Sequence, residues 1–587
     1  MQTLGHIYFP EALSDNFPFQ RRISKDGVPS HSGACPLCKN LQQWVTDSYR
    51  IYAEIQPNVL FIDDDFRTYM TGALSCFCKQ HLEKMAALYG KKITREEIVF
   101  AIYSDKWPAP KLRAIYFEVT TAGFVELATI IRQTVKSASP QTKLGVMTAS
   151  WPFGAAGVDW DKVLKAMAGD EVPLLRPQLS CYRENSPKDL PLAVMNTDRF
   201  RAVLPPNVEF WPEIENYPYT LYSKSSRFTL AQIFSLIMNG FNHHALNLFD
   251  TFGQRFNEYK KFISMFEMQM PYFKALLKLL PEGSRPHGVK ACMHKDALLV
   301  RRSTEDWFGG RSLANFIPSL GLPLTHSGDS KWQILCGDDV LAFNDAELYA
   351  ILSKGALMDV TAAEALALRG QSERIGVKVG NYLQFDELGY ESFIWPGHSA
   401  KQEENCFPLR AFINDKPDWR VLIPCGKQNI SASEIHNFCQ HKTGNGLLLN
   451  ENSQGERFAV LAFSQKTASC LMENHLRAEQ IRHVLEWIAR EPLPFSIASR
   501  TAYLWPILNS TADGRWIVGI INLSTDRVEA IPAFLGKELS TKTLMILNSD
   551  GKVTQAVTKI IKQDNNESIS EIYYTLEPLE YVTFIFQ

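Results

Sequence analysis

The most constraining feature of this chain is a short strand that ends in carboxylates. Residues 208–219 have the sequence Val-Glu-Phe-Trp-Pro-Glu-Ile-Glu-Asn-Tyr-Pro-Tyr. Apolar residues at positions 210, 212 and 214 alternate with Trp211, Glu213 and Glu215, which is the period-two pattern of a strand. Pro218 then breaks the pattern into a loop. A strand that delivers acids at its carboxyl end is typical of a (β/α)8 barrel, which carries its catalytic groups there.

The residues that follow predict the rest of one β/α unit. Apolar side chains recur at helical spacing from 230 to 237, and Gly240 is a suitable helix end. Residues 245–250 form another apolar strand, which ends in Asp250. This order of strand, loop, amphipathic helix and strand indicates an α/β fold. Because acids at strand ends are commonly solvated or paired with arginine, a second acidic strand end is needed to argue for catalysis.

Length and charge narrow the classes of protein. A chain of 587 residues exceeds one compact core, so three or four domains are expected. Lys and Arg (61) nearly balance Asp and Glu (63), which argues against nucleic acid or an anionic membrane as a partner. We expect no apolar stretch to reach the roughly 18 residues needed to span a bilayer, and no secretory signal is visible. Eleven unevenly spread cysteines do not form a secreted disulfide pattern, so we expect a cytoplasmic protein.

The second acidic strand end lies upstream. Four apolar residues, 59–62, are followed by Asp63, Asp64 and Asp65, and then by Arg67. Three consecutive carboxylates repel one another, so they require a cation, a hydrogen-bond network or a substrate nearby. The segment is compatible with a solvated loop, with a divalent-cation site or with a catalytic acid on a barrel strand.

Soft metal ligands lie on both sides of this strand. Cys76, Cys78 and His81 form a Cys-x-Cys-x-x-His motif, and Cys35 precedes the strand in a Cys-Pro-Leu-Cys segment. Together they supply four ligands, enough for a tetrahedral structural zinc. The alternative is a group of unmetallated cytosolic thiols.

These segments resemble glycoside hydrolase family 42, the clan A β-galactosidases. In that family a Cys-Pro segment precedes a fourth barrel strand ending in Asn-Glu-Tyr-Gly, and Cys-x-Cys-x-x-Cys follows. The resemblance implies that Asp64 takes the place of the Asn and Asp65 that of the general acid/base. It implies that the zinc ligands are Cys35, Cys76, Cys78 and His81. The chain departs from the pattern in its shorter acid, Asp for Glu, and in the final histidine.

The same resemblance implies the nucleophile. The family ends its seventh strand in a nucleophilic Glu three residues before a Pro, which is the position of Glu215 relative to Pro218; Glu213 is the rival. Residues 3–8 then become strand three, and strands five, six and eight fall at 143–147, 174–178 and 245–250. Strands one and two have no counterpart, so we expect a TIM barrel that is N-terminally incomplete.

Three domains are expected along the chain. The barrel would cover residues 1–262. Alternating strands and helices predict an α/β domain over 263–494, with a β-rich insertion near 376–455. Short strands bounded by turns predict a C-terminal β-sandwich over 495–587. The resemblance implies that the second domain is amidotransferase-like and takes part in a homotrimer.

The implied activity is that of a retaining glycoside hydrolase that cleaves terminal β-linked sugars. Two carboxyl groups about 5–5.5 Å apart would act, with Glu215 as nucleophile, Asp65 as acid and no catalytic cofactor. Residues at or near strand ends are candidate substrate contacts: Asp64, Arg67, Glu213, His6, Trp151, Tyr182 and Asp250. A β-mannosidase of the same architecture and a non-catalytic carbohydrate-binding relative remain open. A metal-dependent hydrolase is disfavoured because adjacent aspartates on a strand point to opposite faces.

Overall fold

The computed structural model describes most of the chain, in fifteen segments. These segments are residues 2–3, 19–63, 69–70, 73–148, 158–220, 222–249, 255–281, 284–302, 312–395, 405–409, 418–426, 428–464, 472–498, 503–562 and 568–587.

A parallel sheet organises the first part of the chain. Its five strands lie in the order Gln2–Thr3, Val59–Ile62, Lys143–Thr148, Leu174–Pro177 and Glu209–Phe210. A further parallel pair, Glu213–Glu215 with Ala245–Asn247, continues the series. These strands correspond to the predicted strands three to eight of a (β/α)8 barrel.

Helices connect these strands. In chain order they are Lys39–Glu54, Lys79–Tyr89, Arg95–Ile102, Lys111–Ala138, Trp160–Ala168, Leu190–Val203 and Ser226–Met238, and Lys260–Leu279 follows the last strand. Short 3-10 helices lie at Pro187–Asp189 and Phe256–Tyr259. Two small hairpins accompany the barrel, Arg21–Ile23 with Pro29–Ala34 and Tyr69–Met70 with Ala73–Leu74.

Apolar residues on both faces explain why these strands form a parallel sheet. Leu60, Ile62, Leu144 and Val146 are almost completely buried, as expected for strands covered on both sides. Gly145 lies opposite Phe61 in the ladder, and a Cβ at this position would clash with the Phe61 ring. Strands four and five therefore pack closely because residue 145 has no side chain.

The seventh strand is interrupted. The continuous strand expected over 208–215 is wrong at positions 211 and 212, which lie between two short strands. The backbone N–H of Trp211 donates to Leu175 O at 2.8 Å, whereas Pro212 has no N–H and its carbonyl accepts from Ala245 N at 3.0 Å. The first half of the strand thus pairs with strand six, and the second half pairs with strand eight.

A nine-stranded mixed sheet forms the middle of the chain. Five parallel strands come first, in the order Leu324–Thr325, Val289–Cys292, Gln333–Leu335, Ala356–Met358 and Arg457–Leu461. The sheet continues in antiparallel pairing through Lys442–Glu451, Asn429–His436, Tyr390–Phe393 and Cys406–Pro408. An antiparallel pair, Val377–Tyr382 with Arg420–Pro424, lies beside it.

Helices accompany this sheet. They are Ala297–Val300, Asp345–Leu352, Val360–Leu368, Ser372–Ile375 and His475–Ala489, with 3-10 turns at Leu313–Phe316, Pro318–Leu320, Gly337–Leu341 and Phe385–Glu387.

The C-terminal part is rich in antiparallel strands. One sheet contains Phe495–Ile497, Ile531–Leu535, Ser568–Ile572 and Thr558–Lys562 in that order. The other contains Leu504–Ser510, Trp516–Asn522, Tyr581–Phe586, Leu544–Leu547 and Val553–Gln555, and a short helix spans Lys537–Ser540. The domain limits at 262 and 494 stay a prediction.

One barrel helix is more apolar than expected. An 18-residue window of Lys111–Ala138 has a mean hydropathy of 1.4, so this helix is long and apolar enough to cross a membrane by length and composition. The expectation that no segment reaches this threshold is therefore wrong. The same window is 61% buried inside the fold, where the helix packs against Lys39–Glu54 and Trp160–Ala168.

A buried aspartate joins the barrel to the middle part of the chain. Asp198, on the Leu190–Val203 helix, accepts hydrogen bonds from Arg201 Nη2 at 2.7 Å, from His326 N at 2.6 Å and from Ser327 N at 3.1 Å. Burial alone would raise the pKa of Asp198, but Arg201, His326 and Ser327 outweigh it and lower the pKa to about 2. The carboxylate therefore stays charged and holds the two parts together.

We expect Asp198→Ala to lower the free energy of unfolding by about 3–5 kcal/mol, because it leaves the buried Arg201 unpaired. Denaturant unfolding followed by tryptophan fluorescence measures this loss. The matched control is Asp161→Ala, which removes a helical ion pair to Lys165 that lies largely in solvent, and should cost less than about 1 kcal/mol. Equal losses in the two variants would contradict the assignment.

Candidate active site and metal centre

The two glutamates of the seventh strand have different environments. Ile214 between them is fully buried, and Glu213 is only 3% exposed, whereas Glu215 is partly exposed. The strand Glu213–Glu215 pairs residue by residue with Ala245–Asn247, which places Asn247 directly opposite Glu215. Parallel pairing thus brings acid and amide together at the carboxyl ends of two strands.

Glu213 is held in a buried ion pair. Arg176 Nη2, from the sixth strand, donates to Glu213 Oε1, and both side chains are almost completely buried. The Tyr182 hydroxyl lies 3.5 Å from Glu213 Oε2, and Gln178 Nε2 in turn donates to that hydroxyl. Because a buried carboxylate needs a partner, Arg176 compensates the charge of Glu213 and fixes its position.

Glu215 is oriented through one of its oxygens. Tyr219 Oη donates to Oε1, and Asn247 Nδ2 donates to the same oxygen at 3.1 Å. Burial and the Glu215 carboxylate both raise the pKa of Tyr219, so its hydroxyl stays a donor. Within the described part of the chain, Oε2 accepts no hydrogen bond. The hydrogen bonds to Oε1 therefore orient the Glu215 carboxylate and leave Oε2 available to a ligand.

A buried lysine lies behind this carboxylate. Lys224 Nζ donates to the backbone oxygen of Glu215 at 2.8 Å and to Gln232 Oε1 at 2.6 Å, and it lies 3.5 Å from Cys181 O. Lys224 thus joins the end of strand seven to the segment after strand six and to the Ser226–Met238 helix. Burial lowers the pKa of Lys224 to about 7.

The structure brings together some of the predicted residues. Glu213, Glu215 and Tyr182 form one cluster. The described Asp63 is buried at the end of the Val59–Ile62 strand. The other predicted residues lie outside the described residues: His6, Asp64, Asp65, Arg67, Trp151 and Asp250.

Sequence reasoning missed four residues of this cluster: Arg176, Tyr219, Lys224 and Asn247. Arg176 had a usable signal, since a lone charge inside the apolar residues 174–177 must find an anion. The other three residues gave no signal in the sequence, because each reaches Glu215 only through a loop or through the pairing of strands seven and eight.

The four predicted metal ligands lie together in the fold. Cys35, Cys76, Cys78 and His81 are all buried, and their ligand atoms lie within 4.8 Å of one another. Zinc bound tetrahedrally, at about 2.3 Å to sulfur and 2.0–2.1 Å to nitrogen, requires sulfur atoms about 3.8 Å apart and sulfur–nitrogen distances of about 3.6 Å. Cys35 Sγ lies 3.8 Å from Cys78 Sγ and 3.6 Å from His81 Nδ1, and Cys78 Sγ lies closer to His81 Nδ1, at 3.2 Å. The donor set therefore fits zinc.

The neighbouring cysteines favour a protonated His81 ring as long as no metal is bound. Burial lowers the pKa of His81, but the sulfur atoms of Cys76 and Cys78 outweigh it and raise the pKa to about 9. A metal ion must displace this proton, as it does at other thiolate–imidazole sites. Three of these ligands follow strand four in the chain, and Cys35 precedes it.

Comparisons with known proteins show the fold. No family model matches this chain, and no curated protein sequence matches it. The solved structure of α-L-fucosidase isoenzyme 2 from Paenibacillus thiaminolyticus is 12% identical, with a TM-score of 0.62 over 95% of this chain and 82% of that one. A GH42 β-galactosidase from G. stearothermophilus is 10% identical, with a TM-score of 0.61 over 98% and 86%. The β-galactosidase from Bacillus circulans sp. alkalophilus is 9% identical, with a TM-score of 0.61 over 98% and 87%.

At these identities the likeness concerns the fold. It extends over almost the whole chain, from the barrel to the C-terminal sheets. The TIM-barrel architecture implied by the resemblance to glycoside hydrolase family 42 is therefore confirmed.

We expect Lys224→Met to change the pH dependence of stability. Between pH 7 and about 10.5 the unfolded chain binds a proton at Lys224 that the folded protein does not. Burial of this lysine therefore costs less as the pH rises through this window. The stability of the wild type relative to Lys224→Met should increase by up to about 1.4 kcal/mol per pH unit. Thermal or denaturant unfolding between pH 7 and 9.5 measures it.

The matched control is Lys274→Met, which removes an exposed lysine from the Lys260–Leu279 helix. Its stability difference from the wild type should be the same at every pH. If the stability difference between Lys224→Met and the wild type were also the same at every pH, the lowered pKa assigned to Lys224 would be contradicted.

Metal content tests the cluster. We expect about one zinc per chain by elemental analysis, and Cys78→Ser should lose most of it and lower the thermal midpoint, because three ligands hold a structural zinc poorly. Cys38→Ser is the control, since Cys38 Sγ instead accepts from Gln20 N at 3.3 Å. Full zinc content in Cys78→Ser would rule out this site.

Proposed function

We propose that this protein is a retaining glycoside hydrolase that acts on terminal β-linked sugars, with Glu215 as its nucleophile. The observation that carries the proposal is the carboxylate of Glu215 at the carboxyl end of strand seven, oriented through Oε1 with Oε2 uncommitted. Barrel enzymes place their reacting groups at this end of their strands.

The choice between the two glutamates follows from their partners. Glu213 is buried against Arg176, so attack on a sugar would require breaking a desolvated ion pair. Glu215 needs no such rearrangement, because its hydrogen bonds from Tyr219 and Asn247 reach only one oxygen. Glu213 instead holds Arg176 and Tyr182 beside the nucleophile.

The mechanism follows from a free carboxylate oxygen. Glu215 Oε2 attacks the anomeric carbon and forms a glycosyl ester as the bond to the leaving oxygen breaks. An acid gives that oxygen a proton, and the same group then removes a proton from the water that hydrolyses the ester. We assign this role to Asp65 on the strength of its sequence position, two residues after the described Asp63.

Tyr219 and Asn247 make the attack directional. Both side chains donate to Oε1. The two hydrogen bonds therefore stabilise the negative charge of the Glu215 carboxylate before the ester forms and again after it is hydrolysed. Lys224 acts at longer range through the backbone oxygen of Glu215. These groups position the carboxylate before the substrate arrives.

The similar folds support a choice of substrates to test. β-Galactosidases are among the matching structures, so a terminal β-galactoside is the first substrate to test. An α-L-fucosidase matches equally well, which makes α-L-fucosides the second. β-Mannosides, which the family resemblance leaves open, are the third.

Three further properties remain proposals. We propose that the Cys35, Cys76, Cys78 and His81 cluster binds a structural zinc that plays no part in the chemistry. A homotrimer is the assembly implied by the resemblance, and size-exclusion chromatography with light scattering tests it. A cytoplasmic location is the third.

We expect hydrolysis of nitrophenyl β-galactoside and a loss of at least about 10³-fold in kcat for Glu215→Ala, because the covalent nucleophile is gone. Added azide should restore turnover of the variant and yield the α-galactosyl azide, since the anion attacks from the face that Glu215 occupied. The azide product, identified by NMR, separates a nucleophile from a general structural role.

Glu209→Gln is the control, because Glu209 lies at the start of the same strand and accepts from Trp211 Nε1 at 2.6 Å. It should retain turnover. Near-normal turnover in Glu215→Ala would refute the assignment. Sugar binding without turnover of any β-galactoside, β-mannoside or α-L-fucoside would favour the non-catalytic carbohydrate-binding alternative.

A further inference from the structure

A cavity lies beside the cluster that contains the candidate nucleophile. It has a volume of about 550 Å³ and is formed by the segment after strand six, by the start of the Leu190–Val203 helix and by Tyr217. Ligand sites commonly have volumes of about 300–1,000 Å³. The side chains that matter for its chemistry are Tyr182, Arg183, Asn185, Asp189, Asn196 and Tyr217.

The cavity adjoins the active-site cluster through two tyrosines. Tyr182, on its wall, reaches Glu213 with its hydroxyl at 3.5 Å. The ring centroid of Tyr217 lies 5.6 Å from that of Tyr219, whose hydroxyl donates to Glu215. A molecule in this cavity would therefore lie one aromatic ring away from the carboxylate that attacks the sugar.

Its aromatic wall suits the apolar face of a sugar ring. The Tyr182 and Tyr217 rings lie 6.3 Å apart and are inclined at 57°. Tyr217 is 50% exposed although it is a large aromatic residue. Such a ring offers a rigid apolar surface together with a polar hydroxyl, which is the combination that binds amphipathic ligands.

The polar groups of the cavity favour a neutral ligand. The Arg183 guanidinium lies 5.9 Å from the Tyr217 ring centroid, and Asp189 contributes the opposite charge. Asn196 is only 6% exposed and yet reaches the cavity, and its Oδ1 accepts from Arg199 Nη1 at 3.3 Å. Sugar hydroxyl groups can both donate to and accept from such side chains. A charged ligand would be attracted by one of the two charged residues and repelled by the other.

We propose that this cavity is a second sugar subsite, so that the natural substrate is an oligosaccharide and not a glycoside with a small aglycone. The inference rests on the proposed function. Tyr217 forms the platform for the additional ring, and Arg183, Asn185 and Asp189 bind its hydroxyl groups. The buried Asn196 fixes the depth to which the ring enters.

The test compares substrates of different length. For each protein, kcat/KM is measured on β-galactotriose and on nitrophenyl β-galactoside, and the ratio of the two values is the readout. We expect Tyr217→Ala and Asp189→Ala each to lower this ratio about tenfold, since they remove contacts that only the longer substrate makes. Asp189 is exposed and its side chain makes no helix-capping bond, so its replacement leaves the fold intact.

Tyr222→Ala is the matched control. Tyr222 follows the same strand and is 99% exposed, and it does not line the cavity, so the ratio should stay at the wild-type value. An unchanged ratio in both Tyr217→Ala and Asp189→Ala, with hydrolysis intact, would overturn the subsite and leave the proposed function standing.

Binding separates the two proposals if no glycoside is hydrolysed. Calorimetric titration with β-galactotriose then decides the subsite alone. About tenfold weaker binding by Tyr217→Ala and Asp189→Ala than by the wild type and Tyr222→Ala would support it. Equal affinities, or no binding by the wild type, would overturn it.

Discussion

A buried guanidinium gives the two glutamates of strand seven different surroundings. Side chains two residues apart on a strand project to the same side, so Glu213 and Glu215 bring two carboxylates to one wall of the barrel. Arg176 compensates the inner one, and the outer one then experiences less repulsion. Without that ion pair the strand would carry two adjacent uncompensated charges. The accessible carboxylate thus depends on a residue that never needs to touch a substrate.

The C-terminal sheets pack behind the part of the barrel that carries Glu213 and Glu215. The Ser226–Met238 helix, which follows strand seven, packs against the C-terminal sheets. Tyr581 stacks on Phe234 with ring centroids 4.4 Å apart, and Asn509 Nδ2 donates to Met238 O at 2.6 Å. Gly519 lies so close to this helix that a side chain there would collide with Met238. The C-terminal sheets therefore hold in place the helix that carries Gln232, whose side chain accepts a hydrogen bond from Lys224.

Sequence patterns revealed those parts of the site that depend on local periodicity or ligand type. The apolar runs at 59–62, 143–147 and 245–250 mark real strands, although the last ends at Asn247. The predicted metal ligands, Cys35, Cys76, Cys78 and His81, are the four residues that cluster in the structure. The prediction was possible because closely spaced cysteine and histidine residues are typical of zinc sites. The exclusion of Cys38 depends on a backbone contact with Gln20, which follows from folding and not from spacing. Arg176 and Glu213 are 37 residues apart and meet only through the register of neighbouring strands.

The interruption at Pro212 has a consequence for how such a barrel diversifies. Because the two halves of strand seven belong to different ladders, the described links from strand six to the half that carries Glu215 run through side chains, chiefly the Arg176–Glu213 ion pair. Tyr182, which accepts a hydrogen bond from Gln178, reaches Glu213 from the strand-six side in the same way. Substitution of these side chains, with no change in backbone pairing, is therefore a route by which such a barrel can alter the surroundings of Glu215.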